Sequence, residues 1–473
     1  MIEQIPPNSI EHLYGPEEVP YEEDELVLVC LVRDGRPYVR SFVEHHTSMG
    51  IKHMFFLDNG STDGTVEALK QYDNVSVLHT GLPFKRYEVS MRQYLVERFG
   101  EKGRWCLYAD MDELFDYPYS DVVDLGSLLG YLNERSYTAV VGQMLDMFPE
   151  KPLSSAASDP DEPLKQRHRF YDISNVKRMD IKEHPLTGNN TYEGNDIEFF
   201  YGGAFETLFD CIPPWLTRFA LTFSDGKVKP FAGSGHRVDD ARVADLSTVY
   251  LHYKFLDEHF QKKVASAVRE ENYPYDSRQY KRYLEVLEAT PSLQLQRETA
   301  RELRSVNELV DNQFLVVSED YMMLAYDQAR KNGAGRALRR GEPDGLEDPA
   351  FDKTRARAKV QSLRASRLEQ RLEELTELHQ RELEKRLEKL RENNRKAKKR
   401  AVEKLREQNK KKVEKLNSRL ATLDSRLATA RKENRNLVRQ LQSMRASRGW
   451  RLLNKLGGLR AQVMGRKPKG NSK

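Results

Sequence analysis

The chain has 473 residues, with 77 Lys and Arg against 73 Asp and Glu, a formal net charge of +4. That length gives room for two or three folded units; three cysteines exclude a disulfide framework, and without an apolar stretch near ~20 residues a membrane-spanning helix is excluded. The near balance hides a split: residues 351–473 hold 38 basic and 14 acidic residues, net +24, which leaves −20 on residues 1–350. Residues 1–24 are an acidic, polar extension without the pattern of a signal peptide, and the cysteine usage suits a reducing cytoplasm.

Leu26 to Val32 is a continuous apolar run, expected to be a strand buried on both faces of a parallel sheet. A helix is expected from about Pro37 to Met49, closed by Gly50. A second strand, Ile51 to Leu57, ends in Asp58-Asn59-Gly60-Ser61-Thr62-Asp63-Gly64-Thr65, a tight polar turn. Asp63 or Thr62 is expected to cap a helix over Val66 to Tyr72. Val75 to Leu78 reads as a third strand, and Trp105 to Ala109 as another buried one. The alternation predicts an α/β, doubly wound domain.

Asp110-Met111-Asp112-Glu113 follows the Trp105 strand directly. The C-terminal edge of an open α/β sheet is where ligands bind. Two carboxylates at i and i+2 can share one hard divalent cation, and magnesium or manganese is commonly held between carboxylates and substrate phosphates. The plain alternative is a solvated acidic loop.

The segments after the first strand, "FVEHHTSMGIKHMFFLDNGSTDGT" and "RWCLYADMDELF" resemble GT-A glycosyltransferases of the family 2-like and family 92-like group. The resemblance is dense over about residues 26–116, thinner over 196–275 and absent from the C-terminal third. It implies a GT-A doubly wound mixed sheet. Asp110 and Asp112 would hold the metal, with Glu113 supporting them from behind. Asp58 would accept hydrogen bonds from the base or ribose, with Asn59 and Asp63 shaping that pocket and Arg33 lying near the nucleotide or diphosphate. The family usually has Arg-Asn-Glu where this chain has Arg33-Asp34-Gly35. Arg86 and Arg92 are candidate cations for the same end, or solvated helical residues.

Further on, Gly202-Gly203 permits close backbone approach, and the family places such a pair on the acceptor side. The Arg that often follows there is replaced by Phe205-Glu206. An inverting transfer needs a carboxylate base; of Glu206, Asp210, Asp225, Asp239 and Asp257, the favoured candidate is Glu206. His252, at the end of an apolar strand, is a candidate third metal ligand or a packed strand-end histidine. His236 is a weaker candidate.

From Asp257 onward the pattern is helical, and a Gly- and Pro-rich stretch over 333–350 reads as a linker. Beyond Pro349 no Gly or Pro occurs until Gly449, so a single helix could reach roughly 150 Å. Val413, Leu416, Leu420, Leu423, Leu427, Ala430, Asn434, Leu437, Leu441 and Met444 step by 3 and 4, a heptad seam. Asn434 at an a position favours a parallel dimer. The tail from Gly449, with Trp450, Leu453 and Leu456 on one face and seven Lys or Arg after Trp450, suits an anionic membrane surface or a coiled-coil end cap.

The expected organisation is an extension (1–24), a GT-A domain (25–290), a helical closing segment (291–332), a linker (333–350), a coiled coil (351–448) and a basic amphipathic tail (449–473). The expected function is sugar transfer from a nucleotide-sugar donor to a glycan or lipid-linked acceptor in surface polysaccharide assembly, with Mn2+ or Mg2+. The alternatives are a nucleotidyltransferase on a similar fold, or an inactive scaffold carried by the coiled coil. The expected partners are a second copy of the chain and, peripherally, the inner face of an anionic membrane. Nucleic acid is not expected, for there is no aromatic platform or binding module.

Overall fold

The computed structural model describes residues 3–153, 162–184, 187–192, 196–270, 277–340, 349–394 and 399–446. The tail from Gly449 therefore lies outside the described residues. The chain divides into two compact units, Met1–Asn332 and Gly333–Lys473.

The first unit is mixed α/β. After β1 (Glu11–Tyr14) come β2 (Val27–Val32), α1 (Val39–Ser48), β3 (His53–Asp58), α2 (Thr65–Leu69), β4 (Val75–His79), α3 (Phe84–Phe99) and β5 (Trp105–Tyr108). Strands β2, β3, β4 and β5 run parallel, in the order β4-β3-β2-β5. Every residue of β2 and β3 is buried, because both faces are covered. On one face Val27, Val29, Phe55 and Leu57 pack with Met91, Leu95 and Phe99 of α3. On the other, Phe56 meets Phe42 of α1 edge to face at 5.8 Å.

The sheet then turns mixed. β6 (Glu113–Asp116) and α4 (Leu125–Glu134) precede β7 (Ala139–Phe148), α5 (Leu164–Arg167), β8 (Phe170–Tyr171) and β9 (Val176–Asp180). Next come β10 (Glu198–Gly202), α6 (Ala204–Phe209), β11 (Thr217–Phe223), β12 (Lys229–Pro230), β13 (Val238–Asp239) and β14 (Val243–His252). The full path is β1-β4-β3-β2-β5-β11-β7-β14-β6. β11 lies antiparallel between β5 and β7, and β6 doubles back against β14, pairing Glu113 with His252. β6 was not foreseen: its four buried residues, Glu113 to Asp116, follow the acidic turn without a break.

Helices α7 (Asp257–Glu270) and α8 (Arg278–Ala289) follow, where the sequence predicts them. Their apolar faces join Phe205 and Phe209 of α6 in an aromatic core with Phe255, Phe260, Val264 and Tyr283. β15 (Arg301–Glu302), α9 (Asn307–Asp311) and α10 (Glu319–Arg340) close the described part. α10 carries helix to Arg340, into the stretch read as a linker.

In the second unit, α11 (Pro349–Asn394) and α12 (Lys399–Ala446) replace the single helix expected there, and they pack on each other. α11 has 46 residues, or about 70 Å of helix, whereas the four residues between the helices reach at most ~18 Å. The pair is therefore an antiparallel hairpin, and Arg431 on α12 meets Glu369 on α11 at 2.9 Å. The seam residues Leu427 and Leu437 are buried and Val413, Leu416, Leu420, Leu423, Ala430 and Asn434 half-buried, while their neighbours between 410 and 440 are exposed. The heptad stripe thus lies against α11 of the same chain.

Candidate functional site

The parallel strands β2, β3 and β4 end at one edge, and the loops leaving them are tied together. The Asp34 carboxylate accepts from the Thr62 amide at 2.8 Å, the Gly35 amide donates to the Thr65 hydroxyl at 2.8 Å, and the Arg36 amide donates to Asp63 at 3.0 Å. Asp63 also accepts from the Thr65 amide at 3.1 Å. The residue capping α2 is Gly64, with φ of 86°, and neither Asp63 nor Thr62. A Cβ at Gly35 would come within 2.8 Å of the side chains of both Met111 and Val32, so the acidic turn packs closely on this loop.

Asp58 is buried; its carboxylate accepts from the Gly60 amide at 3.0 Å, the Ser61 amide at 3.2 Å and His79 at 3.0 Å. In this structure it folds the loop. Asn59 donates to the carbonyls of Thr80 at 3.1 Å and Leu82 at 2.8 Å. These bonds shape a cavity of about 470 Å³ lined by Arg33, Asn59, Gly60, Gly81, Leu82, Phe84 and Lys85. Arg86 turns outward and ion-pairs with Glu3.

The acidic turn leaves β5, the neighbour of β2 in the sheet. Asp110 and Glu113 pin each other: the Asp110 amide donates to the Glu113 carboxylate at 2.9 Å and the Glu113 amide to the Asp110 carbonyl at 2.9 Å. Both carboxylates meet Arg218 of β11, at 3.2 Å and 2.5 Å. Asp110 also accepts from the Tyr108 hydroxyl at 2.6 Å and pairs with Arg92 at 3.4 Å. Burial opposes the charge on Asp110, yet Arg92 and Arg218 outweigh it and hold its carboxyl below the usual range. Burial dominates at Glu113, and with Asp110 nearby it is raised to about 7 despite Arg218. Arg218 is itself buried between the rings of Tyr108 and Tyr250, at 5.2 and 4.9 Å.

Asp112 points elsewhere. Its Oδ2 lies 3.8 Å from His252 Nε2 and 3.6 Å from Lys263 Nζ. His252 Nδ1 is 2.7 Å from Asp146 Oδ1. Burial lowers the affinity of His252 for a proton, but Asp146 and Asp112 raise it above the ordinary value. An imidazole fixed at Nδ1 by a carboxylate presents Nε2 outward, the arrangement usual for metal-binding histidines.

Asp112 and His252 thus come together, while both Asp110 oxygens are taken by Tyr108 and the arginines. Among the described residues no three His, Cys, Asp or Glu side chains form a group that could hold a metal ion by themselves. The donor set present is one carboxylate and one imidazole, chemistry that fits manganese or magnesium with its remaining positions left to phosphate and water. Glu206 lies on α6, paired with Lys177 and approached closely by Gly202, where a Cβ would come within 2.6 Å of it. Its described partners include none of the acidic turn; its neighbour Phe205 lies 6.4 Å, ring to ring, from His252. His236 bonds the Thr217 carbonyl at 3.2 Å. The side chain of Asp257 lies outside the described residues.

Asp146, Arg218 and Lys263 went unnoticed in the sequence. Only Arg218 and Asp146 carried a signal, each a charged residue inside an otherwise apolar strand pattern (Thr217–Phe223 and Ala139–Phe148).

No family model matches the chain. It is 23% identical over 118 residues to a glycosyltransferase family 92 protein of Arabidopsis thaliana, covering 23% of this chain and 20% of that protein. The chain thus spans about a fifth of that relative's length. Among solved structures it is similar to a nucleotidyl transferase from Methanothermobacter thermautotroptrophicus at 14% identity, with a TM-score of 0.17 over 27% of this chain and 63% of that one; so low a score carries no structural argument. Among the described residues no helix is long and apolar enough to cross a membrane.

Proposed function

We propose that the N-terminal unit is a metal-assisted glycosyltransferase of GT-A type, taking its sugar from a nucleotide-diphosphate donor. The observation that carries this reading is the pairing of Asp112 with the Asp146-oriented His252, together with a cavity at the C-terminal edge of the parallel strands. The family 92 relative supports a glycosyltransferase-like kind and nothing finer. Asp112 and His252 would hold Mn2+ or Mg2+, with Asp110 joining if it leaves its arginines. When bound, the ion offsets the charge growing on the departing diphosphate.

In this reading the base and ribose occupy the cavity at Asn59 and Leu82, and Arg33 faces the phosphates. The acceptor, a glycan or a lipid-linked sugar, enters beside Gly202-Gly203. Its hydroxyl oxygen bonds to the anomeric carbon as the bond from that carbon to the phosphate oxygen breaks. The electron pair leaves with the nucleoside diphosphate, and the hydroxyl proton passes to a carboxylate, for which Glu206 is the candidate. Titration calorimetry with a panel of nucleotide-sugars, with and without manganese, tests the reading. Manganese-dependent binding of a donor, lost in Asp112→Ala, is expected; a folded protein that binds none overturns it.

A further inference from the structure

α7 is amphipathic in a specific way. Phe260, Val264 and Ala267 are buried in the aromatic core with Phe205 and Tyr283. His259, Lys263, Ser266 and Glu270 recur at steps of 4, 3 and 4 and form another stripe of the helix. This stripe lies over the strand-end loops. Lys263 is 3.6 Å from Asp112, and Glu270 is 3.4 Å from Arg33, which lines the cavity. Burial and Lys263 lower the affinity of His259 for a proton, against the opposing charges of Asp63, Asp112 and Asp34. Lys254, two residues beyond His252, sits over the rings of Phe205 at 4.4 Å and Tyr283 at 5.4 Å.

Two cations are therefore each matched to a carboxylate across the contact between α7 and the strand-end loops: Lys263 to Asp112, and Arg33 to Glu270, which also meets Ser266 at 2.8 Å and Arg269 at 3.2 Å. Both pairs are loose, at more than 3.3 Å, and both leave a good part of the cation open to solvent, 31% of Lys263 and 44% of Arg33. Loose, part-exposed pairs contribute little to stability. A diphosphate offers each cation a doubly charged, multidentate partner in their place.

We propose that these pairs are placeholders, and that the diphosphate of the donor displaces Asp112 from Lys263 and Glu270 from Arg33, so that α7 forms the phosphate-binding wall of the site. The inference rests on the nucleotide-sugar reading above. The exchange releases the Asp112 carboxylate from Lys263 and leaves it with His252 for a cation at the moment the phosphates arrive, which couples the two binding events. Lys263 is the residue that touches the departing phosphate, and Glu270 acts as a competitor for Arg33.

Calorimetry in manganese with UDP, GDP, CDP and dTDP, each beside its monophosphate, separates the possibilities. The wild-type chain is expected to bind one diphosphate more tightly than its monophosphate. Lys263→Met should weaken the diphosphate by roughly tenfold to a hundredfold, the scale of one lost hydrogen bond to a charged group. It should leave the monophosphate within about twofold. Lys263→Arg should keep most of the preference, and Glu270→Gln should tighten diphosphate binding by freeing Arg33. A general folding defect would weaken both nucleotides together and appear in the thermal unfolding of the same sample. Binding of a diphosphate by the wild type, with its preference unchanged in Lys263→Met and in Glu270→Gln, overturns the placeholder inference alone. A folded wild type that binds no diphosphate overturns both it and the transferase reading.

Discussion

His252 on β14 and Asp146 on β7 meet across a parallel strand pair, Nδ1 to Oδ1 at 2.7 Å. The register that pairs residue 252 with residue 146 also sets Glu113 opposite His252 on the other side, so a single strand end gathers three charged groups. Asp146 fixes the ring so that Nε2 faces Asp112. The expected consequence is that Asp146→Asn weakens manganese affinity by about tenfold or more, the scale typical of partners behind a metal-bound histidine. Manganese titration followed by paramagnetic relaxation of water measures this without any turnover. Unchanged affinity in Asp146→Asn would remove His252 from the ligand set.

Arg218 is the keystone beneath the acidic turn. It neutralises Asp110 and Glu113 at once, and all three side chains are largely out of water. Removing one partner of a buried ion network strands the others, at a cost of about 3–5 kcal/mol. Arg218→Met is thus expected to lower the denaturant midpoint substantially, and Glu113→Gln in the same background should recover part of the loss. Equal stability of Arg218→Met and wild type, from urea unfolding curves, would mean that the network does not support the turn.

Several histidines are held neutral by burial. His46 donates through Nδ1 to the Phe42 carbonyl at 2.8 Å and accepts from the Phe115 amide at 3.2 Å, so it has no place for a second proton. Burial, with His45 beside it, pushes His46 well below the ordinary value, and burial brings His45 to about 3 and His168 to about 4. All three shifts are downward, so the unfolded chain takes up protons first as pH falls. The stability is fully present above about pH 6.5 and is lost as pH drops toward 4, by at most ~1.4 kcal/mol per pH unit for each group. Thermal unfolding between pH 7.5 and 4.5 is expected to show a falling melting temperature that starts near 6.5. Glu113 and His252, both raised, act in the opposite direction over the same window, so the fall is the surplus of the buried rings. A melting temperature that rises down to pH 5 would show that these rings are not buried and neutral in solution.

The local pattern made much of this legible. Continuous apolar runs mark strands buried on both faces, and those strands, the turn at Asp110 and the strand-end His252 are where the sequence places them. What a single chain read in order conceals is registry between distant segments. Asp146 and Arg218 stand out only as charges inside apolar strands and Lys263 not at all, and their meaning appears when β7, β11 and α7 converge on the acidic turn. The same limit applies to Asp58, whose carboxylate is taken up by its own loop and His79, a local use that the spacing of the motif does not distinguish from ligand binding. It applies again in the second unit, where the heptad spacing defines the stripe but not which helix covers it.

That last ambiguity is open to a direct test. The hairpin sets residue 369 of α11 against residue 431 of α12 in the same chain. A parallel dimer through α12 would instead set the a-position residue 434 against its own copy. Under treatment with a short bis-maleimide, which spans the reach of an Arg–Glu pair, the double variant Glu369→Cys, Arg431→Cys is expected to form an intrachain cross-link, leaving the chain at monomer mass on a denaturing gel. The single variant Asn434→Cys, treated alike, should stay monomeric. Cys30 and Cys106 are buried, and a control lacking Cys211 removes the remaining thiol. Efficient dimer formation by Asn434→Cys alone would show that the seam pairs between chains, with α11 displaced from it.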